Sequence, residues 1–187
     1  MFEILTSLPT SLILLFTGIL GLLIGSFLNV VISRHPVHVL WQWRKLSAEE
    51  TGAAFNESEP PNLWRPASHC PHCKTPIRTW HNIPVVSYLW LRGKCSACHT
   101  RISPQYLAVE LLTALLFIGC VSAMGITSAT AFVLVATALL IAMAVIDVQT
   151  QLLLDTLTLP LLWLGLLAAA LGISPVSASD AVLGAAA

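Results

Sequence analysis

Four cysteines carry the most distinctive chemistry in this chain. Cys70 and Cys73 form one Cys-x-x-Cys pair and Cys95 and Cys98 a second, with 21 residues between the pairs. A Cys-x-x-Cys turn points both sulfurs toward one point, and two such turns complete a tetrahedral shell of thiolates. Soft sulfur ligands select Zn2+ or an iron–sulfur cluster over hard cations, and the paired spacing favours zinc. Two disulfides, or four thiols without a metal, are the alternatives. His69, His72 and His99 flank the pairs, but four sulfurs already fill the shell, so these histidines read as solvated neighbours. A closed shell leaves no position for water, so this zinc would hold a fold and do no chemistry.

The second candidate is one carboxylate, Asp147. It follows the apolar run Ala129 to Ile146, at the helix end where the macrodipole disfavours negative charge. No basic residue is near it in sequence, and a carboxylate held at a membrane boundary is a functional candidate by default. Asp155 has a structural explanation, since it or Thr156 can cap the next helix. Glu110 sits one to two turns inside another apolar run and is read as pairing with a loop arginine or with its own helix N-terminus. Cys120 is isolated among apolar residues and packs as a small hydrophobe. There is no Ser-His-Asp spacing, no glycine-rich phosphate loop and no His-Glu-x-x-His.

The elements that must position these groups are membrane helices. Of 187 residues, 56% are apolar and 10% charged, with mean hydropathy +0.81, and the usual charged fraction is about 25%. The pattern predicts an all-α polytopic membrane protein with four transmembrane helices, Leu12–Ile32, Tyr106–Met124, Ala129–Ile146 and about Leu157–Ile173. Ala181 to Ala187 begins a fifth. The chain divides into the first transmembrane helix (1–33), a loop with the zinc-binding cysteines (34–104), and helices two to four with the start of a truncated fifth (105–187). Gly21 and Gly25, with Asn29 one turn on, form a stripe that lets another helix approach closely. Ser103-Pro104 is an N-cap followed by proline at the first helical position.

All nine Lys and Arg residues lie between Arg34 and Arg101. The positive-inside rule puts that loop and Asp147 on the cytoplasmic side of the membrane and the N-terminus on the opposite side. A reducing cytoplasm also favours a metal over disulfides. Trp41, Trp43, Arg44 and Lys45 suit the headgroup region of the bilayer, and Glu49 to Pro61 reads as a mobile linker. Ile83 to Val86 and Tyr88 to Leu91 are apolar enough to pack on the metal loop and the membrane surface. The N-terminus carries Glu3 and no basic residue, so no signal peptide is expected. Ser33 to Pro104 carries nine basic against four acidic residues, but they are scattered on a membrane-tethered loop, so no nucleic-acid partner is expected.

Several stretches together resemble the bacterial prepilin peptidases, or type 4 prepilin-like leader peptidases. They are GSFLNVVISRHP (Gly25–Pro36), the four-cysteine loop with NIPVVSYL (Asn82–Leu89) and LRGKCSAC (Leu91–Cys98), ISPQYLAVELLTA (Ile102–Ala114), and IDVQTQLLLDTLTLPLLWLGLL (Ile146–Leu167). The resemblance implies a bifunctional membrane enzyme. It would cleave leader peptides of type IV prepilins and type II secretion pseudopilins after a glycine, then methylate the new N-terminus with S-adenosylmethionine. It implies Asp147 as the first catalytic aspartate and Cys70, Cys73, Cys95 and Cys98 as zinc ligands. The two aspartates of such a protease split their pKa values, so that one holds a proton while the other activates water. Leu154 departs from the proline usual in the family before Asp155. The family's other catalytic aspartate lies in Gly-x-Gly-Asp, which these 187 residues do not contain. The expectation is therefore an N-terminal part of the enzyme, inactive until a missing C-terminal segment joins it. The alternative is a non-catalytic zinc-loop module that binds pilin or a secretion-system partner.

Overall fold

The computed structural model describes residues 9–64, 69–70, 72–76 and 85–186. The readings of the first eight residues and of Ile83-Pro84 lie outside the described residues. Among the described residues six helices follow in order: α1 Thr10–Thr51, α2 Val86–Trp90, α3 Pro104–Met124, α4 Ser128–Thr150, α5 Asp155–Ala170 and α6 Ala178–Ala186. α1, α3 and α4 are long and apolar enough to cross a membrane. α5 is apolar but has 16 residues, about 24 Å at 1.5 Å per residue. Two isolated β-bridges are the sole extended pairings among the described residues.

α1 is far longer than its apolar run. Its 42 residues extend about 63 Å against a hydrocarbon core of about 30 Å. Pro36 lies inside it, and the loss of one backbone N–H there does not stop the helix, because Val37 to Lys45 continue it. Gly52 ends it in the left-handed region at φ 67°. Ala53 N–H donates to the Ala48 carbonyl at 2.9 Å and Gly52 N–H to Glu49 at 3.4 Å, the double bond of a Schellman cap. The polar stretch beyond is not a free linker. Arg44 pairs with Glu57 at 2.9 Å, and Phe55 packs edge-on to Trp41 with ring centroids 5.8 Å apart.

α3 begins as its sequence predicts. Ser103 Oγ accepts from Gln105 N–H at 3.3 Å with Pro104 as the first helical residue. α4 is capped by Thr127, whose hydroxyl accepts from Thr130 N–H at 3.1 Å. The expected cap of α5 is corrected: the N-cap is Leu154, with no side-chain bond, and Asp155 is the first helical residue. Leu154 is buried, so its side chain goes to the core, while the Asp155 carboxylate still lies in the first turn, where the macrodipole favours it.

α1 and α3 are antiparallel and in close backbone contact. A Cβ added at Gly21 would stand 2.5 Å from Ala114 Cα, and one at Gly25 would stand 2.7 Å from Glu110 Cα. Gly18 faces Ile118 in the same register. Asn29 Nδ2 closes the seam by donating to the Tyr106 carbonyl at 3.0 Å. The core gathers at one end of the bundle, where Leu28, Ile32 and Val39 of α1 meet Val109 of α3, Ile141, Ala142 and Ile146 of α4, and Leu154. The rest of the bundle presents large apolar side chains outward, among them Leu15, Phe16, Leu115 and Leu140. A surface apolar all round is what lipid solvates.

Candidate functional site

The metal loop is built twice from one local design. In the first turn, Cys70 N–H donates to the Thr75 carbonyl at 3.0 Å and Lys74 N–H to the Cys70 carbonyl at 2.9 Å. In the second, Cys95 N–H donates to Thr100 at 2.9 Å and His99 N–H to Cys95 at 3.0 Å. The residue after each second cysteine is left-handed, Lys74 at φ 59° and His99 at φ 57°. A bridge closes each turn, His69 with Pro76 and Lys94 with Arg101. Each turn also sets a threonine hydroxyl beside its second sulfur, Thr75 Oγ1 at 3.2 Å from Cys73 Sγ and Thr100 Oγ1 at 3.3 Å from Cys98 Sγ.

These two turns bring the four sulfurs together. Cys70 and Cys98 Sγ lie 3.8 Å apart and Cys73 and Cys95 Sγ 3.9 Å apart, with all four within 4.8 Å of one another. A tetrahedron with Zn–S bonds of about 2.3 Å has edges of about 3.8 Å, so the cluster fits a metal ion of that size. All four cysteines are free, and the disulfide alternative fails because a disulfide needs about 2.05 Å. The Thr75 hydroxyl and amide hold the Cys73 thiol below its ordinary pKa, and the Thr100 hydroxyl and amide do the same for Cys98. Backbone N–H groups of Cys98 and Ala97 lower Cys95. Three of the four sulfurs are thereby biased toward the thiolate that binds metal. No histidine nitrogen joins the cluster among the described residues.

Between this loop and the inner faces of α1 and α3 lies a cavity of about 620 Å³. Its lining includes Ser26, Asn29, Tyr88, Arg101, Tyr106 and Glu110. Among the described residues Glu110 has no arginine partner. Its carboxylate accepts the Val85 N–H at 2.8 Å, which ties the start of α2 to the membrane helices. Val85 has φ 59°, a strained conformation for a β-branched residue. Gly93, also left-handed at φ 66°, makes room for the Tyr88 ring, which a Cβ would meet at 2.9 Å.

Asp147 sits in the last turn of α4 and is exposed. Its carbonyl accepts from Gln151 N–H at 2.7 Å, and its carboxylate has no hydrogen-bond or ion-pair partner among the described residues. Two side-chain bonds fix this end of the bundle. Gln149 Nε2 donates to Gln105 Oε1 at 2.6 Å, joining α4 to the start of α3. His35 Nε2 bonds Thr156 Oγ1, joining α1 to α5 beside Asp155. Asp147 does not line the cavity, so the structure keeps it apart from the cysteine cluster while holding both by the same end of α3. Thr75 and Thr100 carried a signal in the sequence, the repeated Cys-x-x-Cys-x-Thr. The Glu110–Val85 and His35–Thr156 contacts carried none, because their partners lie 25 and 121 residues apart.

An all-helical membrane protein whose loop is held by a four-thiolate cluster is the class these features define. The chain matches the bacterial peptidase A24 N-terminal domain over residues 19–124 and the type IV leader peptidase family over residues 134–187. It belongs to that peptidase family. It is 49% identical over 152 residues to the prepilin leader peptidase/N-methyltransferase of Neisseria gonorrhoeae, covering 80% of this chain and 53% of the relative. It is 46% identical over 190 residues to that of Stutzerimonas stutzeri, covering 98% and 63%. With the Aeromonas hydrophila protein the values are 46% over 181 residues, 94% and 59%. The chain therefore spans between 53% and 63% of the length of these relatives. No solved structure matches it.

Proposed function

We propose that this chain supplies the zinc-held loop and one catalytic aspartate, Asp147, of a membrane endopeptidase. Its substrates are type IV prepilins and type II secretion pseudopilins, whose leaders it removes at the cytoplasmic face of the inner membrane. It then methylates the new N-terminus with S-adenosylmethionine. The observation that carries this reading is the place of Asp147, an exposed carboxylate at the end of a membrane helix where the helix dipole offers it no stabilisation. The names of its relatives, prepilin leader peptidase/N-methyltransferases, support it. Confinement of every Lys and Arg to residues 34–101 supports the cytoplasmic orientation.

In the reaction, Asp147 shares one proton and one water with a second carboxylate, which the family pattern places in Gly-x-Gly-Asp. Zn2+ bound by Cys70, Cys73, Cys95 and Cys98 would hold the loop, and its closed shell takes no part in the hydrolysis. The 187 residues alone are inactive on this reading and gain cleavage when a segment with the second aspartate is supplied. A mobility shift of prepilin in membranes tests this. Asp147→Asn should abolish cleavage by the completed enzyme, because an amide neither takes the water's proton nor shares one. Cleavage by the isolated chain, or by Asp147→Asn, would refute it; no cleavage even with the second aspartate supplied would leave the alternative of a non-catalytic pilin-binding module.

A further inference from the structure

We propose that the cavity between the metal loop and α1/α3 is the site of the methyl donor, with its cationic end against Asn29 and Glu110. This rests on the N-methyltransferase reading above and adds to it which residues hold S-adenosylmethionine.

Two observations at the cavity floor point to a ligand with positive charge and N–H donors. Asn29 is 96% buried, being 4% exposed, and its Oδ1 has no hydrogen-bond partner among the described residues. The other amide atom, Nδ2, is fixed by its bond to the Tyr106 carbonyl, so the orphan is an acceptor. Buried acceptors are nearly always paired, and one left open in a cavity wall is a place for a donor from outside. The second observation is Glu110, a carboxylate inside a membrane-crossing helix. Such groups mark ligand paths and need a partner. Its carboxylate accepts from the Val85 amide and bonds the Ser26 hydroxyl, and a carboxylate in the cavity lining still has acceptor capacity beyond these two bonds.

The walls fit the rest of such a ligand. Tyr88 and Tyr106 line the cavity, and aromatic faces attract onium and ammonium groups as well as planar bases. Arg101, also in the lining, offers a guanidinium to a carboxylate. A ligand with a sulfonium, an α-ammonium, a carboxylate and a purine matches all four kinds of group. The volume of about 620 Å³ is in the range of small-molecule sites. A lipid phosphate would meet Glu110 as a like charge and leave Asn29 Oδ1 unpaired. The other source of the same cationic chemistry is the free amine of a cleaved substrate.

The test uses this 187-residue chain in lipid nanodiscs with radiolabelled S-adenosylmethionine at equilibrium. Binding should be saturable and at least about tenfold tighter than that of S-adenosylhomocysteine, which lacks the sulfonium charge. Glu110→Gln, which keeps an acceptor for Val85 N–H, should erase that preference. Asn29→Leu should weaken binding about tenfold, whereas Asn29→Asp should retain it, since the carboxylate still accepts. Absence of saturable binding, or equal binding of the two nucleosides by the unmodified chain, would overturn the proposal. So would capture of a short peptide with a free N-terminal amine, sensitive to Glu110→Gln, without capture of the donor. Because binding is read without turnover, failure of prepilin cleavage leaves the result standing, and the two readings fail separately.

Discussion

The backbone contact between α1 and α3 gives a perturbation whose size follows from the structure. Gly21→Ala places a methyl 2.5 Å from Ala114 Cα, 3.1 Å from its N and 3.2 Å from the Thr113 carbonyl oxygen. Ordinary contact begins at 3.4 Å, so the helices must part by about 0.9 Å at this level. The obstructing atoms are backbone, and no rotamer relieves them. Overpacking of this kind costs about 1–3 kcal/mol, while Ala in place of Gly returns about 1 kcal/mol in helix propensity. Gly119→Ala on α3 is the control, because nothing lies within 4 Å of its added Cβ. The propensity gain is common to both variants and cancels between them. Gly21→Ala should therefore be about 1–3 kcal/mol less stable than Gly119→Ala in reversible unfolding from mixed micelles. Adding Ala114→Gly should not rescue it, since the nearest atom is the Cα that remains. Equal stability of the two alanine variants, or rescue by Ala114→Gly, would refute the close backbone packing.

Three further outcomes are expected. Elemental analysis should find one zinc per chain, and Cys95→Ser should remove it and expose the loop to protease, because structural zinc is folding energy. Thr75→Val and Thr100→Val should each keep the fold but lower zinc affinity about 10- to 100-fold, measured by competition with a chromogenic chelator; unchanged affinity would show that the hydroxyls do not stabilise the thiolates. In intact cells, a cysteine at Ser58 should be shielded from an impermeant thiol reagent and one at Ser128 labelled, and the reverse pattern would invert the proposed orientation.

Much of this protein was decided by local sequence. Hydropathy alone marks three of the crossing helices, because a bilayer demands about 20 apolar residues whatever their neighbours. The Cys-x-x-Cys spacing specifies the four-sulfur cluster, since each turn presets two sulfurs before the pairs ever meet. Gly21 and Gly25 announce a close helix approach, and Ser103-Pro104 announces the start of α3, through single-residue sterics and one side-chain bond. What sequence could not decide depends on partners remote along the chain. The run of α1 through Pro36 to Thr51 rests partly on contacts of Val39 with the core and of Trp41 with the returning segment at Glu57. The sequence offered Asp155 or Thr156 as the cap of α5; burial of Leu154, a packing term that outweighs local capping preference, puts the cap at Leu154 instead. For Glu110 the sequence offered a loop arginine or its own helix N-terminus; only the tertiary fold shows its carboxylate holding a strained Val85 amide, beside an Asn29 oxygen unpaired among the described residues. A hydrogen bond across 25 residues leaves no periodic trace, because nothing but the fold brings its two ends together.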